Sequence, residues 1–212
     1  MLVAPNVDLG SLDGTIGFRL DGIDVGDFSG GSVSSAGDVN GDGFDDLIIG
    51  ARRGAPGGLN GAGESYVVFG KSGGFTSPLD LATLNGINGF RLDGIDIKDY
   101  SGQSVSSAGD VNGDGFDDLF IGAFGADPGG DSYAGESYVV FGKSDWAGTP
   151  TVNLGSLNGA SGFRLDGIDR RCGANLDPRV RFAQRLAREV ERLLERDERR
   201  VRVRQIPVCR AH

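Results

Sequence analysis

The protein is 212 residues long, with 38 glycines, two cysteines, a single histidine and a formal net charge of −9; about 15 glycines would be ordinary at that length. No apolar run approaches the roughly 18 residues of a membrane span, and the glycines follow no three-residue period of the collagen kind. The charge is unevenly spread. Residues 1–169 hold 24 acidic against 8 basic residues, and residues 170–212 hold 13 arginines against 6 acids. A net of −16 over the first part argues against nucleic acid as its partner. Cys172 and Cys209 both lie in the basic part, so the acidic part is not a disulfide scaffold.

From the N-terminus, Met1–Asn6 has neither the basic nor the apolar region of a Sec-type signal peptide. Residues 7–23 then read as one outer strand belonging to a preceding unit. Phe18–Ser72 and Phe90–Ser144 align without a gap at an offset of 72, with 43 of 55 positions identical, so one structural unit is present twice. The first unit spans residues 24–96, with strands predicted at Gly31–Ala36, Leu47–Ala51, Ser65–Phe69 and Gly89–Ile95. The second spans residues 97–169, with strands predicted at Gln103–Ala108, Leu119–Ala123, Ser137–Phe141 and Gly162–Ile168. Leu47-Ile48-Ile49 and Val67-Val68-Phe69 are continuously apolar, as strands covered on both faces are. The expected class is all-β, built of four-stranded antiparallel sheets. Such sheets repeated radially are propeller blades, which close with about 4–8 units. Two blades and an extra strand read as an incomplete set.

Between the first two strands of each unit lies one loop, Asp38-Val39-Asn40-Gly41-Asp42-Gly43-Phe44-Asp45-Asp46, repeated as Asp110-Val111-Asn112-Gly113-Asp114-Gly115-Phe116-Asp117-Asp118. Oxygen side chains at the first, third and fifth places converge when the chain curls. Gly43 and Gly115 permit a bend that turns the carbonyl of Phe44 or Phe116 inward, and Asp46 or Asp118 closes the set. Asp38, Asn40, Asp42, Phe44 and Asp46, with Asp110, Asn112, Asp114, Phe116 and Asp118, thus offer two hard all-oxygen sites suited to Ca2+, about two ions in all. Ile49 and Ile121 stand where an EF-hand places its last acid. The competing reading is a plain Asx-rich hairpin turn, but the three carboxylates of each ligand set, packed within nine residues, repel unless a cation neutralises them.

The run Asp27-Phe28-Ser29-Gly30-Gly31-Ser32-Val33, the acidic loop, Ile49–Pro56 and Tyr66-Val67-Val68-Phe69-Gly70 together closely resemble the FG-GAP repeat of integrin α-type β-propellers, as does the second unit. The resemblance covers about residues 7–169. It implies a calcium-binding module of a secreted or cell-surface protein, acting in ligand recognition or cell adhesion on an extracellular protein or carbohydrate ligand. It also implies that the loops 52–61 and 124–133 face the ligand, and most differences between the units fall there. Alternatives are a non-catalytic accessory domain of an exported enzyme, or a calcium-dependent structural unit self-associating through blade edges.

Among the other features, Asp21, Asp24 and Asp27 recur as Asp93, Asp96 and Asp99; turn and solubility roles suit them better than a second cation site. Arg19, Arg91 and Arg164 are expected to cover a sheet face or pair with acids, and Trp146 to pack a loop. The only histidine is His212. With no activated Ser, Cys or Lys constellation either, no apparatus for acid–base or nucleophilic catalysis is visible, and no enzyme is expected.

Residues 170–212 break the pattern. Asp177-Pro178 reads as an N-cap followed by a first-turn proline. Phe182, Leu186, Val190, Leu193 and Leu194 form a stripe at helical spacing, and Arg185–Glu189, Glu195–Arg199 and Glu198–Arg202 are opposite charges four apart. A C-terminal α-helix over about 178–200 is expected. Three origins stay open for this Arg-rich tail: a shifted or rearranged reading frame, a genuine added helix, or an arm for nucleic acid or membrane.

Overall fold

The structure, a computed structural model, describes residues 8–167. The expected helix, the two cysteines and the question of the tail lie outside that range. In chain order the strands are β1 (Leu20–Asp21), β2 (Ser32–Gly37), β3 (Asp46–Ala51), β4 (Glu64–Val68), β5 (Leu79–Asp80), β6 (Gly89–Asp93), β7 (Ser104–Gly109), β8 (Asp118–Ala123), β9 (Glu136–Val140), β10 (Thr151–Asn153) and β11 (Gly162–Asp166). The only helical pieces among the described residues are three-residue 3-10 turns.

Two antiparallel four-stranded sheets carry the fold, ordered β6-β4-β3-β2 and β11-β9-β8-β7. Their registers match one for one: Ile49 faces Tyr66 in the first and Ile121 faces Tyr138 in the second. These are propeller blades, formed by the strands the sequence predicts to within a residue or two. The outer strands are shorter than expected. β6 ends at Asp93 because its last ladder partner is Glu64, after which the Gly94 amide turns onto the Gly63 carbonyl at 2.9 Å.

The outer strand of the first blade receives a parallel strand from the second unit, making that sheet five-stranded, while the second blade keeps four. β10 lies parallel on β6, and β1 lies parallel on β5 in the same relation. Of residues 8–23, only Leu20–Asp21 is in a strand. Sequence reading did not foresee these parallel additions, because two or three residues carry no periodicity.

The blades pack face to face. Ala36, Ile48, Val67, Phe90 and Leu92 of the first meet Val105, Leu119, Ile121, Tyr138 and Val140 of the second in one buried core. Alternation along β3 sends Ile48 into that core and Ile49 into a smaller cluster with Tyr66, Val68 and Leu81 on the other side. This two-sided burial is why the strand is apolar throughout. Trp146 packs more deeply than a loop residue would, stacked on Phe90 with centroids 3.8 Å apart and 4% exposed. Gly50 lies at a close backbone approach between the two units, where a Cβ would meet the Gly102 carbonyl oxygen at 2.0 Å.

Candidate functional site

The acidic loops leave β2 and β7 through bulges. The register shifts between Ser35 and Gly37, and between Ser107 and Gly109, where the glycines take φ of 72° and 70°. Glycine adopts that left-handed conformation without strain, and the bulge turns the strand into the loop.

Within the first loop the Asp38 carboxylate accepts three backbone amides: Gly41 at 2.7 Å and Asp42 at 3.0 Å on Oδ1, and Gly43 at 2.9 Å on Oδ2. Asn40 Oδ1 accepts the Asp42 amide at 2.9 Å, and Asp42 Oδ1 accepts that of Phe44 at 2.9 Å. Asn40 Nδ2 donates to Asp42 Oδ2 at 3.0 Å. Asp46, fully buried, closes the loop by accepting the amides of Val39 at 3.0 Å and Gly70 at 2.8 Å. Asp110, Asn112, Asp114 and Asp118 repeat this network, with Asp118 accepting from Val111 and Gly142 at 2.9 Å each.

Burial, with the charges of Asp42 and Asp38 adding to it, pushes the Asp46 carboxyl up to about 7 against the pull of its two amide donors. Asp118 is raised for the same reasons, by burial and then by Asp114 and Asp110. The ninth residue of each loop therefore senses the charges of the first and fifth. The five ion pairs among the described residues all belong to Arg19, Arg91 and Arg164, so no described basic side chain pairs with these acids. Among the described residues no three acidic, His or Cys side chains are drawn into a ready-made cation cage. The carboxylates are parked on amides, in the manner of Asx turns. The donor set still fits a hard cation, being all oxygen, exposed at Asp42, Asp110, Asn112 and Asp114, half-buried at Asp38 and Asn40, and anionic at its buried end.

The arginines behave as expected. Arg19 pairs with Asp21 at 2.7 Å, Arg91 with Asp93 at 2.6 Å, and Arg164 with Asp166 at 2.7 Å. Sequence reading missed what lies beneath them. The Tyr66 hydroxyl donates to buried Glu64, which Arg91 approaches to 3.7 Å; Tyr138, Glu136 and Arg164 repeat the arrangement at 3.2 Å. Burial and the neighbouring glutamate hold both tyrosines well above the usual phenol range. The signal was Glu-x-Tyr on one strand beside Arg-x-Asp on its partner. Asp27 and Asp99 are buried rather than solvated, so a solubility role does not describe them.

In the segment 52–61, the Arg52 and Arg53 guanidinium groups lie 5.3 and 4.8 Å from the Phe28 ring centroid, and Arg52 Nη1 donates to Gln103 Oε1 at 2.9 Å. The second unit instead stacks Tyr100 on Phe124 at 5.4 Å. No helix among the described residues is long and apolar enough to cross a membrane.

Comparison with known proteins places both loops within a defined repeat. The FG-GAP repeat family matches residues 29–68 and 101–140. Integrin alpha-PS2 of Drosophila melanogaster is 34% identical over 110 residues, which is 50% of this chain and 7% of that protein. The chain thus spans a small part of the relative's length. The repeat matches take in the first three strands of each blade and the acidic loop between the first two: the chain carries two FG-GAP repeats.

Proposed function

We propose that the chain is a calcium-stabilised propeller module of a secreted or cell-surface protein, acting in ligand recognition or adhesion and without catalysis of its own. The observation that carries this reading is the pair of buried carboxylates, Asp46 and Asp118. Each is pressed by two acids of its own loop and, among the described residues, is paired with no basic side chain. A divalent cation supplies that missing positive charge and ties loop to strand. The residues that would hold it are Asp38, Asn40, Asp42, Asp46 and the Phe44 carbonyl, with Asp110, Asn112, Asp114, Asp118 and the Phe116 carbonyl in the second loop. With the loops fixed, the blades hold the opposite segments, 52–61 and 124–133, rigid for a partner. Their divergence between otherwise near-identical units, and the resemblance to an integrin α chain, support recognition over a purely internal role.

Calcium titration by calorimetry tests this. About two ions should bind with the micromolar to millimolar affinity of extracellular modules, one should be lost in Asp42→Ala or Asp114→Ala, and none should bind in the double variant. Unchanged stoichiometry in the double variant returns these residues to ordinary turn chemistry.

A further inference from the structure

The contact between the two blades contains its own template for a second contact. The first blade buries Ala36, Val39, Phe69, Phe90 and Leu92 against the second. The 72-residue counterparts Ala108, Val111 and Phe141, with Phe163 and Leu165 on β11, lie on the opposite face of the second blade and are only half-buried. Conversely, the second blade buries Val105 and Leu119, at 9% and 0% exposure, while their counterparts Val33 and Leu47 on the first blade are 66% and 37% exposed. One end of the pair thus presents the face that its other end is built to cover.

We propose that a second copy of this chain covers it. The first blade of one copy docks on the second blade of the next, reproducing between chains the interface already present within each. The polar contacts carry over with the apolar ones. Ser32 Oγ accepts the Val105 amide at 3.0 Å within the chain, and Ser104 Oγ would accept that of Val33 between chains. The Asp38 amide donates to Asp117 Oδ2 at 2.8 Å, and exposed Asp45 stands ready to receive the Asp110 amide of the next copy.

Among the described residues a single element is in the way. Gly17–Asp21, Gly89–Asp93 and Gly162–Asp166 share the sequence Gly-Phe-Arg-Leu-Asp, and Phe18 stacks on Phe75 at 4.1 Å much as Phe90 stacks on Trp146. In the assembly β1 of one copy and β11 of its neighbour claim the same position. β11 is held to β9 by a five-residue antiparallel ladder and β1 to β5 by only two residues, so β1 yields and β11 takes its place beside β5. The contact joins unlike surfaces, so association does not stop at two copies by symmetry. It joins faces, not strand edges, and holds whether or not the loops bind calcium.

Sedimentation of the full 212-residue chain in calcium-containing buffer, at an ionic strength that screens its like charges, tests the proposal. The weight-average mass should exceed the 22.1 kDa of one chain and rise with concentration. Val33→Asp, at an exposed position, should return it to one chain with unchanged circular dichroism and unchanged calcium titration. That last reading keeps a failure here distinct from a failure of the loop assignment. A wild-type mass of one chain at every concentration overturns the proposal, including the case in which residues 168–212 of the same chain protect the face. Undiminished assembly of Val33→Asp overturns it too.

Discussion

The Asp38 amide donates to Asp117 Oδ2 at 2.8 Å, and the Asp117 amide donates to the Asp38 carbonyl at 3.1 Å. The first residue of one acidic loop is thereby tied to the eighth residue of the other, 79 positions away. Gly37 makes room for the contact, since a Cβ there would sit 2.5 Å from the Asp117 carboxyl carbon. Asp117→Ala should cost about 1 kcal/mol, the usual worth of one hydrogen bond. Asp45→Ala, its exposed counterpart in the first loop, should cost almost nothing in a single chain. Urea unfolding of the two variants side by side checks the pair, and equal losses would mean that the loops are not coupled through Asp117.

Trp146 is the only tryptophan. It lies over Phe90 of the preceding blade, with Nε1 donating to the Val39 carbonyl at 3.4 Å. Trp146→Ala should therefore destabilise the packed pair by about 3–5 kcal/mol, as large core truncations do. In the wild type, tryptophan emission should shift to the red in the same transition that unfolds the strands. Separate transitions by fluorescence and circular dichroism would show the blades parting before they unfold.

Asp42 presses on Asp46 through charge while its own oxygens hold the loop. Asp42→Asn keeps the hydrogen-bonding shape and removes the charge, so its effect on stability should change sign with calcium. In EDTA the variant should melt at or above the wild-type temperature, because repulsion is relieved. In calcium it should melt below it, because the folded state loses binding free energy. An equal loss in both conditions would remove the ion from the account.

Asp99 is buried beside Asp96 and Glu136, and burial first, then those charges, raises its carboxyl to about 6. A carboxyl raised on folding keeps its proton longer in the folded chain than in the unfolded one. Its contribution is intact below about pH 4 and is lost as the pH rises towards 6. Asp99→Asn removes that loss. The variant should gain on the wild type by on the order of 1–2 kcal/mol between pH 4 and pH 7, measured by urea unfolding at both values. A constant difference across that range would show that Asp99 titrates normally.

Much of the blade was legible in the chain itself. Ile48 and Ile49 side by side announce a strand buried on both faces, and the 72-residue offset announces that whatever Asp38–Asp46 does is done twice. Glu64 and Tyr66 were not legible as a buried pair, since their partner Arg91 comes from a strand more than twenty residues away. Nor were β1, β5 and β10, whose pairing depends on a neighbouring blade being in place.

The sequence by itself determined the repeat, the strand set and the positions of the oxygen-bearing residues, because these follow from short-range pattern: alternation, turn chemistry and spacing. Only the tertiary structure decided which faces of the two blades meet, that Asp46 and Asp118 are buried with no basic partner among the described residues, and that Val33 lies open where Val105 is covered. Identical residues took different environments because burial depends on which blade stands next to them, and near-identical units do not encode that.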